Sequence, residues 1–446
     1  MKRKYDLIVL GGGPGGIIAA RFSRRRKPAW KIALIRDQKK SVIPCALPYA
    51  LDGTIHTEDY IKSDEKLLAS AGIDLFVTHI KELLSQENKM VSTEGEEFFY
   101  ENLILAVGSL PVLPSLEGID LKNVFTIKDH PDIEAILENL SEAKEATVVG
   151  AGFIGLELAA AFKNRGLKVN VLEREEYPLA SNVSSDLGKI VKEELEKNGI
   201  RLYMRTLAEG VVGEEKAEGV ILSDGQRINS DIVVFSVGVK SNLSLIKDTK
   251  IETGTYGIKT DEYMRTNIKN IYAIGDCVES RDFFTGEATV SFLATTAAVQ
   301  AKVAAINVTG GQRVFEGVIN PAITRVFDLS FGATGMIKER AEKEGFDIVY
   351  ADSETFTREK SFAGAGMLKT RLIARADDLT IIGAEVVSTE CIAYIINMLS
   401  LAILNKNTAE DLACLQYSGH PPQVDVPSRM HIVLAAEEIL RKTGRL

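Results

Sequence analysis

One cysteine, Cys45, sits between prolines in the stretch VIPCALPYAL, residues 42–51, shortly after a strand that follows a glycine-rich loop. A thiol in such a place can be inert packing, half of a disulfide, or a nucleophile that works alone. A cysteine at the start of a helix has its thiolate stabilised by the helix dipole and by unpaired N–H groups. Pro48 suits a first helical turn, where its missing N–H would have had no acceptor. The remaining cysteines, Cys277, Cys391 and Cys414, are widely scattered in strand or helix patterns, which favours packing roles. That scatter matches neither a disulfide framework nor a zinc site, so no metal is expected, and it suits a reducing compartment, the cytoplasm.

The elements that would position this chemistry are marked by glycines. KYDLIVLGGGPGGIIAARFSRRRK reads as a buried strand, a tight turn and a helix, with Gly11, Gly13 and Gly16 in GxGxxG spacing. Such glycines let the backbone turn sharply and approach a pyrophosphate held by the N–H groups of the helix start. EATVVGAGFIGLELAAAFKNRGLKVNVLER repeats the pattern with Gly150, Gly152 and Gly155, then a second strand ending at Glu173. An acid there accepts hydrogen bonds from ribose hydroxyls and repels a 2′-phosphate, so NADH is expected over NADPH, a preference that Arg174 weakens. The first copy departs from the pattern, since its second strand ends in Arg36, with Asp37 next. Arg36 can signal a 2′-phosphate, lie over an adenine ring while Asp37 serves the ribose, or be a surface residue with no ligand.

Three further segments share one design, a short strand followed by glycine. IYAI runs into Gly275-Asp276, ENLILAVGSLPVLPSLEG centres on Gly108, and DIVVFSVGVKSN centres on Gly238. An acid at a strand end, Asp276, can face the sugar-like part of a cofactor bound nearby.

The chain as a whole limits the alternatives. At 446 residues it calls for two or three domains, and 45% hydrophobic with 26% charged residues describes an ordinary globular protein. A net charge of −9 offers no attraction for phosphate backbones, so nucleic acid is not an expected partner. No apolar run reaches the roughly 18 residues of a membrane span, and the start turns glycine-rich too soon for a signal peptide.

The order GGGPGG, LILAVGSLP, GAGFIGLE, FSVGVKSN and YAIGDC resembles that of the FAD-dependent pyridine nucleotide-disulfide oxidoreductases over nearly the whole chain. The resemblance implies an α/β fold: two Rossmann-like dinucleotide-binding domains, the FAD domain interrupted by the NAD domain, plus a C-terminal α+β dimerisation domain. Residues 1–118 and 247–325 would bind FAD, 119–246 NAD(P)H, and 326–446 would make a homodimer. Gly11, Gly13, Gly16 and Asp276 become FAD contacts; Gly150, Gly152, Gly155 and Glu173 become NADH contacts. Gly108 and Gly238 join the cofactor-binding set, as do Arg36 and Asp37. Phe153 stands where the family has a side chain lying over the flavin, and Glu157 matches a residue near the nicotinamide, against packing and helix-face readings of the same positions.

The dithiol members carry CxxxxC here, whereas the second position in this chain is Ala50, so PCALPY resembles the single-cysteine branch: coenzyme A disulfide reductases, NADH oxidases, NADH peroxidases and persulfide reductases. Hydride from NADH would then pass through flavin to a sulfur-based acceptor at Cys45. A disulfide or persulfide would be attacked by the thiolate, whereas peroxide or oxygen would take Cys45 through a sulfenic acid. The first glycine loop lacks the histidine of the NADH peroxidases. Arg21, Arg24 and Arg25, with Arg26 and Lys27, form either a solvated face or an anion site for the ADP part of coenzyme A. In LQYSGHPPQVDVP, Tyr417 and His420 are the acid/base candidates, with a cap or interface role open for His420. The leading expectation is an NADH-dependent reductase of coenzyme A disulfide or a persulfide or polysulfide; the alternatives are an NADH oxidase and a non-catalytic NADH-binding flavoprotein.

Overall fold

The computed structural model describes residues 2–56, 58–62 and 64–446. Two compact units divide the chain: Met1–Val112 with Lys128–Ile133 and Gly238–Val318, and Leu113–Ile127 with Glu134–Val237 and Ile319–Leu446.

The first unit is built on a seven-stranded sheet in the order Asp74–Val77, Ile32–Arg36, Lys2–Leu10, Glu97–Leu105, Lys89–Ser92, Ile80–Leu84, with Ile271–Ala273 also paired to Glu97–Leu105. The runs LIVL and IALI have no polar alternation because parallel strands are covered on both faces; Leu7, Ile8, Val9, Ala33, Leu34 and Ile35 are fully buried. Each large aliphatic side chain so buried stabilises the fold by about 1.5–3 kcal/mol. The helices Pro14–Arg26 and Ala294–Val308 pack on each other. Register then fixes the functional edge. Leu10 stands opposite both Ile35 and Leu105, and Leu105 opposite Ala273. Gly11, Ala106 and Ile274 therefore leave the sheet level with one another at its carboxyl end, the edge where open α/β sheets bind ligands.

The second unit contains a five-stranded parallel sheet, ordered Val124–Phe125, Ile232–Phe235, Glu145–Val149, Lys168–Glu173, Ile200–Met204, and a five-stranded antiparallel one, ordered Ala322–Val326, Leu329–Gly335, Ile381–Ser388, Met367–Arg375, Ile348–Phe356. The helices Ala393–Leu404 and His431–Lys442 pack on the antiparallel sheet, giving the α+β layer expected at the C-terminus. The helix Ser185–Lys197 has no cap of its own. The Ser184 N–H and hydroxyl donate to Glu385 at 2.5 and 2.6 Å, and the Ser185 N–H donates to Glu339 at 2.9 Å, both carboxylates coming from the C-terminal segment. Arg371, its side chain 3% exposed, bonds Asp186 at 2.8 and 2.6 Å and Asp352 at 2.7 and 2.8 Å, and lies 3.7 Å from Glu385. Burial pushes the Glu385 carboxyl up to about 7. Among the described residues no helix is long and apolar enough to cross a membrane.

Candidate active site

The first glycine loop is shaped by contacts that exclude side chains. Gly11 has φ +121°, and a Cβ there would stand 2.0 Å from the Ala106 carbonyl oxygen; one at Gly16 would stand 2.0 Å from the Gly11 oxygen. Only glycine lets the helix Pro14–Arg26 start this close to the strands. Gly13 is its N-cap, in extended backbone, with no side-chain cap and open space in front. The first N–H groups of a 13-residue helix are thereby left to an anion. The second loop repeats this: Gly150 and Gly155 are equally confined, while Gly152 opens onto free space and starts Phe153–Asn164 uncapped. Two such loops, each following a strand paired in parallel with its neighbours, are the architecture of a protein that binds two dinucleotides.

Arg36 is not the surface residue that one sequence reading allowed. It is 2% exposed, lies over Gly12, and its Nη2 donates to Glu65 at 2.6 Å. Its Nη1 is 3.8 Å from Asp64 Oδ2, and Nε and Nη1 have no hydrogen-bond partner among the described residues. Orphaned donors beside an uncapped glycine loop fit a bound FAD, whose adenine nucleotide supplies acceptors. Asp37 is exposed and faces His79 at 3.7 Å.

The three strand-then-glycine segments converge. Gly108 and Gly238, with φ +70° and +102°, open the strands Ser109–Pro111 and Val239–Ser241, which pair antiparallel. Ser109 Oγ donates to the Asp276 carboxylate at 2.8 Å, and Ser241 Oγ donates to the Asp276 carbonyl at 2.6 Å. Buried Gln300 accepts the Gly275 N–H at 2.7 Å and donates to Ser280 at 3.1 Å. Burial raises the Asp276 carboxyl, with Ser109 and Lys128 opposing. Sequence reasoning found Asp276 and missed Ser109, Ser241 and Gln300, although Ser109 and Ser241 each follow a flagged glycine within three residues.

Cys45 belongs to the same unit as this cluster. It is exposed, in the 3-10 turn Pro44–Ala46, followed by the helix Leu47–Leu51. The expected helix start is thus a turn before a five-residue helix, since prolines 44 and 48 limit how early regular hydrogen bonding can begin. Such a helix gives the thiolate less dipolar support than a long one. Behind the cysteine, Ser41–Val42 pairs with Ile61–Lys62, and the Ile43 N–H donates to the Tyr60 carbonyl at 3.0 Å. The Tyr60 hydroxyl, buried, meets His130 Nδ1 at 2.7 Å, and Lys40 Nζ meets His130 Nε2 at 2.9 Å. No local signal announces this chain of contacts between residues 90 positions apart. Cys277 is buried, and desolvation pushes its thiol up to about 11. Cys391 and Cys414, expected inside strand or helix patterns, are instead exposed at element ends. None of the four is in a disulfide among the described residues.

In the second unit Phe153 opens its helix, and Glu157 is partly buried with Thr324 Oγ1 donating to its Oε1 at 2.8 Å. Burial, which Thr324 opposes, pushes the Glu157 carboxyl up to about 7. Glu173 accepts the Ala151 N–H at 2.7 Å and the Glu175 N–H at 3.0 Å, one on each oxygen, so each keeps a lone pair for a ribose hydroxyl. The Tyr417 hydroxyl donates to the Pro427 carbonyl at 2.9 Å, while His420 is exposed and its carbonyl accepts the Gln423 and Val424 N–H groups. Of the basic cluster, Arg24 turns onto the carbonyls of Pro28, Trp30 and Gly72, and Arg26 bonds Thr309; Arg25 is exposed and Arg21 partly so. Arg24, Arg25 and Arg26 occupy a helix C-terminus, where cations offset the dipole.

Comparison with known proteins agrees with that architecture. Residues 5–321 match the family model for pyridine nucleotide-disulphide oxidoreductases, and residues 321–430 match the model for that family's dimerisation domain. The chain is 36% identical over 447 residues to an NADH oxidase of Methanocaldococcus jannaschii, covering 98% of each chain. It is 32% identical to a CoA-dependent NAD(P)H sulfur oxidoreductase of Pyrococcus furiosus, over 88% of this chain and 90% of the relative. The solved structure of an NAD-dependent persulfide reductase from A. fulgidus superposes with a TM-score of 0.93 at 30% identity, covering 100% of this chain and 84% of that one. The chain belongs to the pyridine nucleotide-disulphide oxidoreductase family. It is an FAD-dependent oxidoreductase that uses a pyridine nucleotide.

Proposed function

We propose that the protein is an NADH-dependent reductase of a sulfur acceptor, coenzyme A disulfide or a coenzyme A-linked persulfide or polysulfide, with Cys45 as its single redox thiol. The observation that carries this is Cys45 itself, exposed in a proline-bounded turn of the unit that holds the first glycine loop and Asp276. Bound FAD supplies the two-electron relay between nicotinamide and sulfur. It would be held by the loop of Gly11, Gly13 and Gly16, by Arg36 and Asp37, by the turns at Gly108 and Gly238, and by Asp276 under the Ser109 hydroxyl. NADH would take the loop of Gly150, Gly152 and Gly155 and the ribose contact of Glu173, with Phe153 and Glu157 at the nicotinamide end. The residue ranges 1–118 and 247–325, 119–246, and 326–446 carry the FAD, nucleotide and dimerisation roles.

The chemistry at Cys45 is a displacement. Its thiolate attacks one sulfur of the acceptor, the S–S bond breaks, and the departing thiolate takes a proton. Two electrons from NADH then cleave the mixed disulfide, so that NADH, a proton and one disulfide give NAD+ and two thiols. The proton donor is His420 in preference to Tyr417, whose hydroxyl hydrogen is committed to the Pro427 carbonyl. Arg21 and Arg25 are the residues of the basic helix left to receive the phosphates of coenzyme A, since the Arg24 guanidinium is spent on carbonyls. A second copy of the chain would cover the helix Ala393–Leu404, where Tyr394, Met398, Leu401 and Leu404 expose an apolar stripe. A cytoplasmic home suits its cysteines.

Turnover of NADH with coenzyme A disulfide, polysulfide and oxygen, in wild type and Cys45→Ser, tests the proposal. The variant should lose at least 100-fold with sulfur acceptors, about 2.7 kcal/mol of barrier. Equal rates with every acceptor would refute it. The Methanocaldococcus relative's name favours a second reading, oxygen reduction, which predicts oxygen consumption faster than reduction of any disulfide.

A further inference from the structure

Glu157, partly buried, differs from the buried carboxylates of its unit. Glu385 has Arg371 within 3.7 Å, Glu194 has Lys197 at 3.4 Å and Asp425 has Arg429 at 2.8 Å. Glu157 makes no ion pair among the described residues; its one bond is from Thr324, itself 5% exposed, to Oε1, and Oε2 receives nothing from the protein. The strands packed on its helix offer it no cation. Glu145 and Lys168 pair with each other at 3.0 Å, Glu173 is held by two backbone N–H groups, and Arg325 bonds the Phe327 carbonyl at 3.1 Å. On its own helix, Lys163 lies in the last turn. A desolvated carboxyl with one donor and no counter-charge either keeps its proton or awaits a positive ligand.

The positive ligand that the reaction itself generates is the nicotinamide ring, neutral in NADH and cationic in NAD+. Resting on the placement of Glu157 beside that ring, we propose that Glu157 and Thr324 form a proton-releasing pair: the carboxyl holds a proton against reduced nicotinamide and yields it as the ring becomes cationic. Thr324 is the positioning residue, fixing Oε1 so that Oε2 faces the ligand. The balance closes. NADH gives up hydride to the flavin that would be bound, which takes up the negative charge while the nicotinamide ring gains one positive charge; the carboxylic acid gives its proton to solvent and gains one negative charge. Ring and carboxyl together end with the net charge they began with, so NAD+ held by the oxidised enzyme is not stranded in low dielectric.

Calorimetric titration of the FAD-loaded enzyme with NAD+, in phosphate and in Tris, counts protons released on binding. The non-reducing analogue tetrahydro-NADH serves as the neutral ligand. With the carboxyl near half-ionised at pH 7, the wild type should release up to about 0.5 proton per NAD+ and none with the analogue. Glu157→Gln should abolish the release. Thr324→Val removes a donor that favours the carboxylate, so the pH of maximal release should rise by roughly one unit, and Thr324→Ser should restore it. If Glu157→Gln releases protons like the wild type, the placement of Glu157 beside the nicotinamide is wrong, and the pair falls with it. If Glu157→Gln abolishes release while both Thr324 variants match the wild type, Glu157 keeps its role and the pairing alone is refuted. Retained flavin absorbance confirms folding, and Thr324→Ala, which also removes the hydroxyl donor, carries the test should Thr324→Val lose FAD.

Discussion

Replacing Arg36 with Met separates two roles that one side chain combines. In the folded chain Arg36 neutralises Asp64, whose side chain is 6% exposed and whose Oδ2 accepts no hydrogen bond, and it also pairs with the half-exposed Glu65. Removing one member of a buried pair leaves an uncompensated charge at about 3–5 kcal/mol, roughly 6–20 °C in melting temperature for a unit of this size. Removing both members leaves no stranded charge and is nearly neutral. Apoprotein of Arg36→Met should therefore melt well below wild type, and Arg36→Met with Asp64→Asn should recover most of the loss. The second role appears on adding FAD, which raises the melting temperature according to its affinity. If the two orphaned Arg36 nitrogens serve the adenine nucleotide, the double variant keeps its recovered apo stability and yet gains less from FAD than wild type. Scanning calorimetry of wild type, single and double variants, with and without FAD, reads both terms. A single variant as stable as wild type refutes the buried-pair argument; a double variant with full FAD stabilisation refutes the ligand contact.

Two further outcomes follow from geometry already described. Gly155→Ala puts a Cβ 2.0 Å from the Gly150 carbonyl oxygen, so it should weaken NADH binding at least tenfold while leaving FAD content unchanged, as read by flavin absorbance and the NADH dependence of flavin bleaching. Glu385 has a folded-state pKa near 7, above the roughly 4.3 of an unfolded glutamate, so the native state holds a proton that the unfolded chain has lost. Its contribution is complete below about pH 4 and fades as pH rises through 7; Glu385→Gln should flatten that part of the curve in pH-dependent thermal melts, and an unchanged slope would contradict the assignment.

What could be read from the sequence was what local spacing encodes. GxGxxG spacing states a close approach, and the 2.0 Å separations at Gly11, Gly16 and Gly155 are that statement in space. The α+β C-terminal domain that the resemblance implied is likewise present, as an antiparallel sheet with two helices packed on it. Convergence was not legible: Gly108, Gly238 and Asp276 were each visible, but that Ser109 and Ser241 close on Asp276 depends on strand register across 167 positions. Arg36 could be read three ways because burial of an Arg at a strand end is decided by the helix carrying Asp64 and Glu65. Thr324, Tyr60 and His130 gave no sign, since a lone Thr in a strand or a Tyr before a turn has many bland explanations. Arg371 and Glu385 read as ordinary strand residues for the same reason.

The borrowed capping of Ser185–Lys197 bears on how such chains can be rebuilt. Its first N–H groups are satisfied by Glu339 and Glu385, residues more than 150 positions downstream. The segment around the second glycine loop is therefore no detachable cassette. A chimera that exchanged nucleotide specificity by swapping residues 134–237 alone would inherit a helix whose lids stayed behind in the donor, and the smallest portable piece includes the sheet that carries Glu385 and Arg371 together with the short helix Lys338–Lys343 that carries Glu339.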